Sequence, residues 1–279
     1  MATALSLIIP ANNEAALIGA CLRAVLGSDD VAQGAVQVIV AANGCSDGTV
    51  QIACGFADDF AARGWHLTVL DLSEAGKLAA LDAADAAAAA SNRAYLDADV
   101  IVTPPLIAQT AAALDTSSPR YVSGEVRLAP ARTLASQLYG RFYKQVPFMQ
   151  QPAPGCGYFA MNGAGRGKWD TWPRIISDDT FARLNFTPQE RHQLRASYTW
   201  PLVEGFGNLV RVRRRQNAGV DEIARTFPKL VANDSKSRFT AAGLVKAILR
   251  APLGFAVYAS VALVVKLTPG SGQGWSRGR

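Results

Sequence analysis

Histidine and cysteine are scarce in this chain, with two and four copies in 279 residues. His66 and His192 lie far apart without ligand spacing. Cys21, Cys45, Cys54 and Cys156 show neither paired nor metal-like spacing. Nothing here supports a disulfide framework or a His/Cys metal centre, and such cysteine usage suits a reducing compartment. Cys21 falls on an apolar helix face and reads as a buried thiol. Residues 1–10 lack a charged leader region and a cleavage site, so no signal peptide is expected and the catalytic part is placed in the cytoplasm. Helix-turn-helix, zinc-finger and RNP patterns are all missing, which argues against a nucleic-acid partner. A long apolar run is missing too. The uninterrupted apolar part, residues 251–265, is 15 residues long, short of the roughly 20 that a simple membrane span needs.

What is present is a chain that is 49% apolar, enough for one large core or a domain with an appendage. Its net charge of +6 is unevenly placed: residues 206–279 carry 13 Lys/Arg against 3 Asp/Glu. A basic tail of this kind suits an anionic membrane surface or a phosphorylated acceptor.

Residues 4–9 (ALSLII) have strand length and composition. Pro10 ends them, and a helix is expected over 15–26 with Asn13 as its N-cap. A second strand over 36–41 runs into the turn cluster 43–49, followed by a helix over 49–63. A third strand over 65–70 precedes Gly76-Lys77 and an Ala-rich helix reaching about residue 91. A fourth strand, 94–96, leads to Asp97-Ala98-Asp99. Strands alternating with helices indicate a mostly parallel sheet flanked by helices, an α/β fold. Ligands on such sheets bind outside the carboxyl ends of the strands. The polar clusters fall at those ends: residues 12–14, residues 43–47, Lys77, and Asp97 with Asp99.

The dinucleotide fingerprint is not there, because Pro10-Ala11-Asn12-Asn13-Glu14 stands where Gly-X-Gly-X-X-Gly would follow the first strand. The Gly155-Cys156-Gly157-Tyr158-Phe159-Ala160 segment follows Gln-Pro-Ala-Pro and reads as a turn-rich approach to a strand. No phosphate-loop Gly-Lys-Ser/Thr occurs. Asp97 and Asp99, one residue apart, would raise one another's pKa if left together without a cation. A hard divalent ion that takes its other ligands from phosphate and water removes that conflict.

Taken in order, Pro10-X-X-Asn13-Glu14, Asn43-Gly44-X-X-Asp47-Gly48-Thr49, Gly76-Lys77-X-X-Ala80-Leu81, Asp97-X-Asp99, Gly157-Tyr158-Phe159-Ala160, Asp178-Asp179 and the run ending Arg213-Arg214-Arg215-Gln216 resemble the inverting glycosyltransferases of family 2, which have the GT-A fold. The resemblance covers roughly residues 4–220. It implies a catalytic domain over 1–220, with a nucleotide-binding part over about 1–100 and an acceptor-binding part over about 101–220. Residues 221–279 form a basic, apolar, membrane-associating tail.

The resemblance also assigns roles. Pro10, Ala11, Asn13, Glu14 and Asn43 are expected at the nucleoside, with Lys77, Asp97, Ala98 and Arg215 completing the nucleotide-sugar site. Asp99 is the implied metal ligand, with Asp97 reaching the ribose or the metal's waters, and Mg²⁺ or Mn²⁺ neutralises the departing diphosphate. Asp179 is the implied general base, and Gly157, Tyr158 and Asp178 lie on the acceptor side. The family more often has Asp where Asn43 stands and Trp where Gln216 stands. The first departure loosens the assignment of uracil, although an Asn oxygen can still accept from its imide. The second puts processive polymerisation in doubt.

Plainer readings remain open beside these. Asn43-Gly44 suits a simple turn, Asp47 suits a helix cap, and Ser177-Asp178-Asp179 suits the start of a helix. Lys77 at a helix N-terminus is either an exposed lysine or the partner of an anion, since the dipole there disfavours a cation. Trp169 and Trp172 either stack on sugars or pack. Residues 139–149, with Arg141 and Lys144, read as an amphipathic helix shaping the acceptor entrance. The arginines of 211–215 suit diphosphate or an anionic headgroup. Residues 241–267 either lie in the membrane interface, span it, or dock on the core. Residues 268–279, rich in glycine, are expected to be mobile.

The sequence thus points to a hexosyl-type transferase. It would use a nucleoside-diphosphate (UDP in the first instance) sugar donor and a glycan or lipid-linked hydroxyl acceptor, at the inner face of the membrane. A catalytically silent binding homologue and a nucleotidyltransferase of related topology are the alternatives. The second would need a basic, Gly-rich phosphate loop near the first strand, which this chain lacks.

Overall fold

A computed structural model of the chain describes residues 3–32, 34–235 and 238–268. The expectation of a mobile 268–279 therefore lies, apart from its first residue, outside the described residues. The chain divides into two compact units: Met1–Arg127, Gly155–Arg174 and Asn185–Trp200 form the first, and Leu128–Pro154, Ile175–Leu184 and Pro201–Arg279 the second.

The first unit holds the sheet. Strand β1 (Thr3–Ala11) pairs in parallel with β2 (Ala35–Asn43) and β4 (Arg93–Leu96), and β2 pairs in parallel with β3 (His66–Leu72). Helices α1 (Ile18–Leu26), α2 (Thr49–Cys54), α3 (Ala57–Ala62) and α4 (Lys77–Ala87) connect them. Leu5, Leu7, Ile8 and Ile9 are fully buried, which is why the central strand reads as a continuous apolar run rather than an alternating one. Beyond β4 the sheet turns antiparallel. β5 (Ile101–Val102) and α5 (Pro105–Leu114) come next in the chain, followed by β6 (Tyr121–Leu128). With β7 (Tyr158–Met161) and β8 (Arg191–Trp200) these strands complete the order β3-β2-β1-β4-β7-β6-β8-β5. The parallel pairing that alternation implies thus covers the first hundred residues, and the strand at 158 follows the Gly155–Gly157 turns as expected.

Three helices of this unit differ from expectation, the first two for local reasons and the third for a tertiary one. α1 begins at Ile18 because the Glu14 carbonyl closes a turn with the Leu17 and Ile18 amides, both at 2.9 Å. The helix over 49–63 breaks into α2 and α3 at Gly55, a residue that costs a helix about 1 kcal/mol relative to Ala. α4 stops at Ala87, short of 91, because two buried strand residues capture the chain after it. Gln37 on β2 donates to the Ala87 carbonyl at 3.0 Å and accepts from the Ala89 amide at 2.7 Å, while Ser6 on β1 accepts from the Ala90 amide at 3.1 Å. Tertiary bonds to buried polar groups outweigh the helix propensity of alanine here.

The second unit is helical. Thr133 caps α6 (Leu134–Tyr143), and Pro147 starts the separate short α7 (Pro147–Gln150), so the helix expected over 139–149 is two. The single turn α8 (Gly163–Arg166) belongs to the first unit; α9 (Asp178–Leu184), α10 (Phe206–Thr226), α11 (Ala241–Arg250) and α12 (Pro252–Leu267) belong to the second. α10 runs without interruption across the boundary placed at 220. Among the described residues no single helix is long and apolar enough to cross a membrane, and α11 and α12 meet at a bend of 114°.

Candidate active site

Parallel register brings the carboxyl ends of three strands level, with Ala11 beside Ala42 and Asn43 beside Leu72. The loops that follow are fastened to one another by side chains. Asn12 donates to the Asn43 carbonyl. Asn13, at φ +52°, does not cap α1; its Oδ1 accepts from the Ser46 amide at 2.6 Å and the Asp47 amide at 3.2 Å. Asparagine is among the few side chains that tolerate this left-handed backbone. The Glu14 amide donates to Thr49 Oγ1 at 2.7 Å. Asp47 accepts from the amides of Thr49, at 3.0 Å, and Ala15, at 3.2 Å; Gly48 is the N-cap of α2, so Asp47 ties the turn before that helix to the loop after β1.

Asn43 is buried, and its amide is largely committed within the protein. Nδ2 donates to the carbonyls of Ala11 at 2.9 Å and Ala41 at 3.2 Å, while Oδ1 accepts from the Gly76 amide at 3.0 Å. With both N–H donors engaged, a second Oδ1 lone pair is the capacity left for a ligand. Gly44, at φ +54°, follows; a Cβ there would come within 2.7 Å of the Ala75 backbone. Together Asn43 and Gly44 draw residues 73–76 against the end of β2, which sets where Lys77 begins α4.

Lys77 finds its anion within the protein. Its Nζ lies 3.1 Å from Asp97 Oδ1, both side chains partly exposed. Asp97-Ala98-Asp99 forms the turn after β4, held by the Asp97 amide donating to the Gly157 carbonyl at 2.9 Å. Beneath it sits Cys21, whose Sγ is 3.9 Å from the Asp97 carbonyl oxygen. Burial, then the charges of Asp99 and Asp97, push the Cys21 thiol far above its ordinary range. The sequence marked Cys21 as buried but gave no sign that it underlies the acidic turn.

Among the described residues no group of three or more His, Cys, Asp and Glu gathers as a ligand set. Two carboxylates do not make a protein cage, yet the donor set is hard oxygen. That suits Mg²⁺ or Mn²⁺, which binds one or two carboxylates and completes its shell with phosphate and water. Asp97 and Asp99 fit such an ion in chemistry and number.

Gly157, at φ +76°, could not carry a side chain, since a Cβ would lie 2.6 Å from the Trp200 ring. Tyr158 corrects the expectation of an acceptor-side contact. Its ring is fully buried and its hydroxyl pairs with Thr110 Oγ1 at 2.6 Å, so the side chain builds the core. Trp172 also packs: it is buried, its indole donates to Asp85 at 2.9 Å, and its ring meets Tyr95 edge-on at 5.2 Å.

In the second unit Asp178 and Asp179 open α9, where the helix dipole favours carboxylates. Asp178 is buried. Asp179 is half-buried, and its Oδ1 accepts from the Thr180 amide at 2.7 Å. The loop before them is fixed by α10: Glu222 accepts from the Ile176 amide at 2.7 Å, and Ser177 presses against Gly219, where a Cβ would stand 2.1 Å from its hydroxyl. The buried ion pair Arg183–Asp234, at 3.2 Å, holds the far end of α9. The arginine run on α10 is partly structural. Arg213 lies 5.3 Å over the Tyr258 ring, and Arg214 donates to the Thr268 carbonyl at 2.6 Å, so both fasten α12. Arg215 is half-buried on the same helix.

A parallel sheet with polar loops and an acidic turn gathered at its carboxyl edge defines an α/β protein of the class that binds its ligand at that edge. The glycosyl transferase family 2 model matches residues 6–194, more than half of the chain, and the chain belongs to that family. No curated protein matches the chain in sequence. Among solved structures, residues 1–349 of S. aureus TarS in complex with UDP align over 96% of this chain and 92% of that one, with a TM-score of 0.53 and 14% identity. The mannosyltransferase PcManGT from Pyrobaculum calidifontis, in complex with GDP-Man and Mn²⁺, covers 97% of this chain and 77% of its own, with a TM-score of 0.57 and 18% identity. The fold is GT-A, and the protein is a glycosyltransferase.

Proposed function

We propose that the protein transfers a hexosyl group, with inversion, from a nucleoside-diphosphate sugar to a hydroxyl of a glycan or lipid-linked acceptor. The observation that carries this reading is the carboxyl edge of the parallel sheet, where Asn43 ends β2, Lys77 follows β3, and Asp97 and Asp99 follow β4. UDP is the donor nucleotide in this reading, because the remaining Oδ1 lone pair of Asn43 accepts from an imide N–H of the kind uracil presents. Pro10, Ala11, Asn13 and Glu14 line the nucleoside side, and Lys77, Ala98 and Arg215 serve the diphosphate and sugar. Asp99 and Asp97 would hold a Mg²⁺ or Mn²⁺, which would supply Lewis-acid neutralisation of the leaving diphosphate.

Asp179 accepts the proton of the acceptor hydroxyl. As that oxygen forms its bond to the anomeric carbon, the bond from that carbon to the diphosphate oxygen breaks. The nucleoside diphosphate leaves with the electron pair, and attack from the opposite face inverts the centre. Gly157 and Asp178 stand on the acceptor side. In this reading residues 1–100 handle nucleotide and 101–220 acceptor. Residues 221–279 keep the enzyme at the cytoplasmic face of the membrane.

A thermal-shift screen of nucleoside diphosphates and their sugars, with and without Mn²⁺, tests the donor assignment. Stabilisation by uridine nucleotides that requires metal is expected, reaching about 2.7 kcal/mol at a hundredfold excess over Kd. Stabilisation by another base alone would replace UDP, and no response to any nucleotide would favour a silent homologue.

A further inference from the structure

We propose that the α11–α12 elbow lies flat on an anionic bilayer surface, meeting it with one defined face built from both helices. This rests on the membrane contact in the reading above and gives it a geometry.

The two sides of α12 are unlike. Its inner side packs on α6: a Cβ on Gly254 would fall 2.6 Å from the Leu138 carbonyl oxygen, and the Tyr258 ring lies 5.3 Å from Tyr139 and 5.0 Å from Phe142. Its outer side carries Leu253, Ala256, Ser260, Leu263 and Leu267, spaced three and four residues apart and so forming one stripe along the helix. Leu253, Leu263 and Leu267 are 67%, 55% and 68% exposed. On α11, Val245 and Leu249 are exposed in the same way, at 56% and 77%. Large apolar side chains gathered on a surface mark a place where something binds.

Charge selects the occupant. Residues 235–268 contain no Asp or Glu, while Lys246, Arg250 and Lys266 border the apolar stripe. A second copy meeting this face across a two-fold axis would set these cations against their own kind. An anionic lipid surface neutralises them and takes the leucines between its headgroups. The 114° bend prevents the apolar residues of the two helices from running as one straight span. Arg213 and Arg214 tie α12 to α10, so the exposed stripe is held in place rather than left on a loose tail.

The test is sedimentation of the full chain with vesicles of phosphatidylglycerol and phosphatidylcholine, against vesicles of phosphatidylcholine alone, at low and high salt. Binding to the anionic vesicles that weakens with salt is expected. The double variant Leu249→Asp/Leu253→Asp should bind roughly a hundredfold more weakly with an unchanged melting temperature, since both side chains are exposed in the folded chain. Replacing Lys246, Arg250 and Lys266 by Gln should weaken anionic binding roughly tenfold or more and leave neutral vesicles unaffected. Four results would overturn the proposal. Full binding by the aspartate variant would show that another face docks. Loss of a wild-type dimer in that variant, on gel filtration, would make the occupant a second copy. Resistance to alkaline carbonate extraction would make the pair a span. Failure of the wild type to bind either vesicle would remove the membrane contact itself. Nucleotide-induced stabilisation, measured on the same samples, keeps the glycosyltransferase reading separate from all four.

Discussion

Asp97 and Asp99 follow a strand of the parallel sheet, whereas Asp179 lies in the first turn of a short helix, and the two regions are fixed by different means. At the sheet edge, strand register sets the level of each loop, and side chains of Asn12, Asn13, Asn43 and Asp47 then lace the loops to backbone groups. Around Asp179, register plays no part. One helix, α10, fixes the loop through Glu222 and through a contact that only glycine at 219 permits. The sheet edge therefore depends chiefly on many side-chain hydrogen bonds between loops, whereas the helix-borne region depends on one carboxylate, Glu222, and on the space left by Gly219.

Substitutions can break this contrast. The largest expected effect is at the base: Asp179→Asn should lower transfer by about 10³-fold, within the range for general base catalysis, with nucleotide binding retained. Full activity in steady-state assays would remove the assignment. Asn43→Asp comes next. An aspartate cannot donate to the Ala11 and Ala41 carbonyls, so two bonds are replaced by repulsion, and the loss should be about 1–3 kcal/mol in denaturant titrations. Unchanged stability would mean that the lacing is not what holds this edge.

Gly219→Ala sharpens the other side. Alanine favours a helix interior by about 1 kcal/mol, so a simple propensity account predicts a more stable protein. The contact with Ser177 predicts displacement of the base-bearing loop and a kcat lower by about 10²-fold, typical of an ångström-scale misplacement, with donor KM unchanged. The smallest effect concerns Glu204. The amides of Arg132 and Thr133, joined by the Thr133 hydroxyl, hold its carboxyl below the ordinary range. A depressed folded pKa contributes stability above the unfolded value, near 4.3 as an approximate reference, and loses it as pH falls through the folded value. Glu204→Gln should therefore melt slightly below wild type at neutral pH, and the gap should close in acid.

Strand ends and their polar clusters were legible because apolar runs and turn residues are local signals. Belonging to the family followed from their order. What the sequence hid is long-range. Nothing near Ala87 announces that Gln37 and Ser6 will end an alanine-rich helix. Asn43 reads equally as ligand contact or turn residue, and its part in holding the loop shows only when Gly76 is seen donating to it across 33 positions. The arginine run looks uniformly anion-seeking, yet Arg213 and Arg214 face α12. Tyr158 carries a motif position while its ring belongs to the core.

Electron paramagnetic resonance of Mn²⁺ titrated into the protein with UDP tests the central claim most directly. The account predicts that the free-ion signal falls when protein and UDP are both present, that Asp99→Asn restores it, and that Asp179→Asn does not. A signal unaffected by protein and UDP, or quenched equally by the Asp99→Asn variant, would contradict a metal-bound diphosphate at this sheet edge.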